Sequence, residues 1–261
     1  MNKLKKYLFI EYIFMKMNLL TIMQYNISYF LSILYEILEL GISVVFYFVV
    51  FTHAHSIAGW DRETILFMTI YAYFVDVTCT MFFIGMVSIP EYIRTGVLDL
   101  YLLKPVNKQF FLTFRRPNAV QVIGFIGSVL YFAVFILKRD ISFLNGIQFI
   151  VSVGCSIVCM YSVLLIIVSL SFWITKVGDM WNAIYIINGM GAKPLEIYPK
   201  VIRWVMTFLV PSSVIMTLPS GILFGFYKGG VFISLAVSLI FYYISKYVFS
   251  KGMKRYDSAC G

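Results

Sequence analysis

Apolar positions fall into six long runs along the chain. The first covers about residues 28–51 and is interrupted only by Glu36 and Glu39. The second covers about 64–87 and contains Asp76. The others cover about 120–137, 146–174, 179–195 and 231–249. A helix needs roughly 20 residues to cross the hydrocarbon of a bilayer. The fifth run is marginal by that count, and the fourth is long enough to cross with tilt. The pattern predicts an all-α integral membrane protein with six transmembrane helices.

Between these runs the pattern changes character. Over residues 1–27, lysines and polar residues alternate with Leu, Tyr, Ile, Phe and Met. That predicts an N-terminal interfacial helix on the membrane surface, with a frayed extension as the alternative. Glu11, Lys16, Asn18, Gln24 and Asn26 follow the early lysines with no small-residue cleavage site, which argues against a cleaved signal peptide. Residues 204–226 are apolar enough to span, yet Pro211 and Pro219 break them. A re-entrant outer hairpin over 199–229, before the sixth span, fits better, because irregular backbone is tolerated at membrane depth only under protein or beside water. Gly221, Gly225 and Gly229 recur every four residues, either for close helix approach or as turn glycines. The whole of 1–261 reads as one transmembrane domain.

Composition supports this reading. Hydrophobic residues make up 61% and charged residues 13% of the 261 residues, and mean hydropathy is +0.88. A soluble domain is about half apolar and about a quarter charged. The net charge of +9 is scattered between apolar runs, which excludes a nucleic-acid patch and points to topology instead. With the N-terminus inside, basic residues favour the cytoplasmic segments by about two to one. Both termini are therefore expected in the cytoplasm. Cys79, Cys155 and Cys159 sit in apolar runs as packing residues, with Cys260 near the end. Trp60, Trp173, Trp181 and Trp204 fall near span ends, as an interfacial belt requires.

The cytoplasmic segment 88–117 carries the most specific pattern. Ser88 and Glu91 have capping-box spacing, and Pro90 suits a first helical turn. Thr95-Gly96 interrupts that helix, residues 97–103 are apolar around Asp99, and Lys104-Pro105 ends them. A short amphipathic helix here can dock into a groove on another protein or lie on lipid, and physics alone leaves the two about equal.

Here the chain resembles the bacterial ATP-binding-cassette (ABC) type-2 permeases. The resemblance rests on Ile93-Arg94-Thr95-Gly96-Val97-Leu98-Asp99 with Leu102-Leu103-Lys104-Pro105, on Ile57-Ala58-Gly59-Trp60, and on Ser171-Phe172-Trp173. It also rests on Pro194, Tyr198-Pro199, Pro211 and Pro219, and on the ending Arg255-Tyr256-Asp257-Ser258-Ala259-Cys260-Gly261. It implies a permease subunit of an ATP-driven exporter in the bacterial plasma membrane. It also implies a second permease subunit, identical or homologous, and separate cytoplasmic ABC ATPase subunits. Glu91, Arg94, Gly96, Asp99, Lys104 and Pro105 become candidates for ATPase coupling.

No phosphate loop of the Gly-x-x-x-x-Gly-Lys-Ser/Thr kind occurs, so ATP hydrolysis is expected on a separate subunit, with no cofactor here. His53 and His55 lack nearby acids or thiols, which disfavours a metal site. Glu36, Glu39 and Asp76 are costly inside a membrane, so they face protein or water. They are the candidates for lining a translocation path that greets a cationic or polar substrate. The bland alternatives are headgroup-level placement for the glutamates and a hydrogen bond to a neighbouring span for Asp76. A proton-coupled secondary transporter using these acids, or a scaffold without transport, are the competing functions. Drugs, peptides, lipids and glycans all suit such a permease.

Overall fold

The computed structural model describes residues 3–24, 26–174, 186, 187 and 189–256. Its helices are α1 (Lys3–Met23), α2 (Asn26–His53) and α3 (Arg62–Phe83). Three short helices follow: α4 (Ile89–Arg94), α5 (Val97–Leu102) and α6 (Lys108–Phe114). The remainder are α7 (Val122–Lys138), α8 (Phe143–Ser169), α9 (Lys200–Phe208), α10 (Leu218–Leu223) and α11 (Gly230–Arg255). Five helical stretches among the described residues are long and apolar enough to cross a membrane. The protein is an all-α, multi-pass membrane protein. Of the expected fifth span, 179–195, residues 179–185 and 188 lie outside the described residues.

Local chemistry sets most boundaries. Asp61 caps α3 by accepting from the Thr64 N–H at 3.1 Å. Asn107 caps α6 by accepting from the Phe110 N–H at 3.0 Å. Gly229, at φ 76°, makes the left-handed turn into α11, a conformation that a Cβ disfavours. Gly225 is likewise left-handed, whereas Gly221 lies against the Tyr227 ring. The glycine triplet thus holds two turn residues and one close approach.

The capping box at Ser88 does not form. A 3₁₀ turn over Ile84–Ser88 carries α3 directly into α4, so Ser88 is already helical at φ −83°, ψ −7°. An N-cap needs extended backbone for its side chain to reach back. Glu91 pairs with Arg94 instead, at 2.7 Å. Pro90 does sit in the first turn of α4.

The core lies along α8, packed between α3, α10 and α11. Helix α8 packs along α11, and both helices bury small residues: Ser152, Ser156, Cys159 and Ser162 on α8, and Ser234, Ser238 and Ser245 on α11. Small side chains let helices approach closely where lipid offers no hydrophobic drive. Gly252 completes the seam, because a Cβ there would run into the Phe172 ring. The serine hydroxyls donate mostly to carbonyls three or four residues back, as Ser162 does to Val158 at 2.7 Å.

Pro211 breaks the apolar stretch as its sequence position requires. Lys200–Phe208 and Ser213–Leu223 meet at an 80° bend. The second arm, a π turn (Ser213–Thr217) continuing into α10, is buried. Its Val214 carbonyl accepts from Ser156 Oγ at 2.9 Å, and Ser156 Oγ accepts from the Tyr71 hydroxyl at 2.9 Å. One hydroxyl therefore ties α3, α8 and the bent arm together. Helix α1 also has firm contacts. Tyr7 and Phe14 pack, tilted and edge-on, against Phe110 and Phe111 of α6, at ring distances of 4.5 and 5.9 Å. Asn18 Oδ1 accepts from the Ala119 N–H at 2.9 Å.

Interhelical hydrogen bonds in membrane proteins average about 0.6 and reach about 1.7 kcal/mol. Tyr71→Phe is expected to cost about 1 kcal/mol, and Gly252→Val to cost about 1–3 kcal/mol by overpacking. Thermal denaturation followed by size exclusion in detergent would measure both. A Gly252→Val protein as stable as the parent would contradict the close seam.

Candidate functional site

Glu39 and Asp76, on different spans in the sequence, meet in one cavity. It encloses about 390 Å³ between α2, α3 and the stretch 189–193. Its polar lining comes from Glu39 and Ser43 of α2, Thr69, Tyr73 and Asp76 of α3, and Lys193. Phe46 and Tyr47 supply aromatic walls. Two carboxyl groups and one ammonium group thus share a space bounded by spanning helices. Lys193 is the cation that hydropathy did not place near these acids, because it sits at the end of the fifth apolar run and reaches the cavity only through the fold.

Glu36 does not join them. It faces a separate cleft and accepts a hydrogen bond from Gln121 Nε2 at 2.6 Å. Three residues along a helix put the two glutamates on neighbouring rather than identical directions. That offset sends Glu39 toward α3 and Glu36 toward the start of α7.

The segment 88–117 divides into an inner and an outer face. Ile89, Tyr92 and Leu98 are buried against the body. Arg115 lies 3.8 Å above the Tyr101 ring and 5.7 Å from that of Tyr92, so one guanidinium spans α4 and α5 and holds them to α6. Gly96 turns the chain between α4 and α5 at φ 71°. On the outer face, Glu91, Arg94, Lys104 and Pro105 are exposed, while Gly96 and Asp99 are half-buried. Between them stand two bare leucines, Leu100 at 62% and Leu103 at 81% exposure. Four of the six candidate coupling residues are therefore exposed, in the same segment as the exposed Leu100 and Leu103.

At the other end of α3, Trp60 is buried and its indole N–H donates to Glu196 at 3.1 Å. The Tyr227 hydroxyl donates to the same carboxylate at 2.8 Å. Burial, and then the Glu196 carboxylate, hold the Tyr227 phenol well above its ordinary range, so it stays a donor. Arg203 fixes the loop by donating to the carbonyls of Glu196 and Tyr198, at 2.8 and 2.7 Å. Ala58 and Gly59 take left-handed backbone to make the tight turn that presents Trp60. This clasp was not foreseen. Its partners are 136 residues apart, and only the Gly59-Trp60 and Tyr198-Pro199 pairs hinted at it.

Residues 37–260 match the family model described as "ABC-2 family transporter protein". No curated protein and no solved structure gives a significant match.

Two outcomes test these sites. Ser43→Cys, on the cavity wall, is expected to react about tenfold faster with a cationic than with an anionic water-soluble thiosulfonate. Equal rates would contradict an acidic, wet cavity. Glu196→Gln replaces one of two accepting oxygens, so amide exchange should quicken over 56–61 and 224–229. Unchanged exchange would leave the clasp without a structural role.

Proposed function

The chain belongs to the ABC-2 transporter family, and from that premise we propose that it is the membrane subunit of an exporter driven by a separate ATPase. As an ABC transporter permease it is a membrane component, and its family implies association with ABC ATPase subunits. The finer reading concerns direction, coupling and assembly. Its main support is the outer face of 88–117, where Leu100 and Leu103 stand bare between the Glu91–Arg94 pair and Lys104. An apolar centre with a charged rim on a short helix suits a groove in a soluble partner.

Force applied at this face has a short route into the membrane. Arg115 locks α4 and α5 to α6, and the turn Ile84–Ser88 joins α4 to α3. Helix α3 carries Asp76 and Thr69 into the cavity, while α2 carries Glu39. Closure of the ATPase dimer would shift α3 against α2 and change the cavity between them. Glu91, Arg94, Gly96, Asp99, Lys104 and Pro105 form the transmission surface, and Glu39 and Asp76 line the path. Glu36 enters the path only if its cleft opens onto the cavity.

A second permease subunit, identical or homologous, would cover α2. Ile42, Val45 and Phe46 on that helix are all exposed. With both termini in the cytoplasm of a bacterial cell, residues 199–229 turn back on the outer side and α1 lies in the inner interface. No observation specifically favours a proton-coupled carrier.

The wild-type protein, solubilised and purified, should bring down a nucleotide-binding ATPase. Leu100→Asp with Leu103→Asp should reduce that recovery at least about tenfold while leaving a monodisperse permease, since apolar anchors dominate such interfaces. Recovery of the wild-type chain with no ATPase, together with transport indifferent to ATP depletion, would overturn the exporter reading.

A further inference from the structure

A second cleft lies beside the acidic cavity and has a different chemistry. It runs between α2, α3 and α7, encloses about 490 Å³, and is walled chiefly by apolar side chains such as Ile37, Val44 and Ile70. Gly41 and Gly127 open it further, because a Cβ at either would meet nothing within 4 Å. At one end stand Glu36 and Gln121. There it joins a smaller, more polar cleft of about 400 Å³ that continues past Asn118 and Thr80. Gln121 immediately precedes α7, and Asn118 immediately follows the segment 88–117. The polar end therefore lies at the headgroup level bordering that segment, and the apolar part runs into the hydrocarbon.

The hydrogen bonding at this junction is incomplete in one specific way. Gln121 is 5% exposed. Its Nε2 is spent on Glu36, but its Oε1 is buried without a partner. The amide cannot be turned to cure this, since its oxygen would then face the carboxylate. Native proteins partner nearly all such groups. What the junction lacks is a donor, and the carboxylate beside it favours a donor with positive charge.

We propose that this cleft holds one amphiphile from the leaflet bordering the coupling segment. Its N–H- or O–H-bearing head sits on Gln121 Oε1 and the Glu36 carboxylate, and its chain fills the glycine-floored groove. The proposal rests on the membrane spans alone and not on the exporter reading. Two sources share this chemistry: a resident membrane lipid with an amine head, and an amphiphilic cargo awaiting transport.

Native mass spectrometry of the delipidated full chain would test it, with phosphatidylethanolamine and phosphatidylcholine of identical acyl chains as probes. The first head donates N–H bonds and the second has none. The wild type is expected to bind the ethanolamine lipid about tenfold more tightly, the worth of one charge-assisted hydrogen bond. Glu36→Gln with Gln121→Leu should erase that preference. Gly127→Leu fills the groove where there is room for it, and should abolish binding of both lipids while the chain remains folded and monodisperse. Equal affinity for the two heads in the wild type, or undiminished binding in Gly127→Leu, would overturn the proposal. Fluorescent phosphatidylethanolamine in proteoliposomes holding the permease with its ATPase then separates the sources. ATP-dependent movement across the bilayer makes the amphiphile cargo, and retention makes it a resident lipid, and either supports the site.

Discussion

The Ser156 hydroxyl is the point through which the spans are held in register. In hydrocarbon, an unsatisfied polar group has no water to turn to. Tyr71 brings a buried phenol on α3, and the π turn at Ser213–Thr217 brings a backbone carbonyl, Val214, freed by the widened helical repeat. Ser156 on α8 receives the first and donates to the second. The bent arm at Pro211 is stable at depth because its irregular backbone finds this partner inside protein. The serine and glycine seam between α8 and α11 then lets the helix that carries Ser156 sit close enough to do so.

Helix α3 is consequently braced in its middle and engaged at both ends. At one end it runs through a 3₁₀ turn into α4, which Arg115 holds to α6. At the other end it begins beside Trp60, whose indole N–H donates to Glu196. Between these ends it presents Asp76 to the cavity. A rigid rod with a lever at one end, a clasp at the other and an acid between them can link the two faces of the membrane without long-range deformation. Packed cores shift between discrete arrangements rather than stretch.

The parts of this arrangement that depend on local pattern were readable in the sequence. Five of the six apolar runs coincide with spanning helices, Pro211 located the bend, and the apolar 97–103 stretch located the short helix that bares Leu100 and Leu103. Ser88 and Glu91 misled, because capping-box spacing says nothing about whether the chain arrives extended or already helical. The remaining errors were of distance. Glu196 lies 136 residues from Trp60, and Gln121 lies 85 from Glu36. Hydrogen bonds of that kind leave no periodicity, and without them Gln121 looks like an ordinary polar residue at the start of an apolar run.

The division of the two glutamates carries the most consequence. A pair of acids three residues apart on one span suggests a single acidic patch, and a patch suggests a single cationic cargo. The fold instead uses the angular offset between them to serve two compartments. Glu39 opens onto a polar, aromatic-walled cavity shared with Asp76 and Lys193. Glu36 is partly satisfied by Gln121 at the mouth of an apolar groove. Tyr73 of α3 and Leu40 of α2 line both spaces and form the wall they share. A shift of α3 against α2 would therefore act on the cavity and the groove together. An amphiphile resting with its head near Glu36 would need to pass only that wall to reach Glu39.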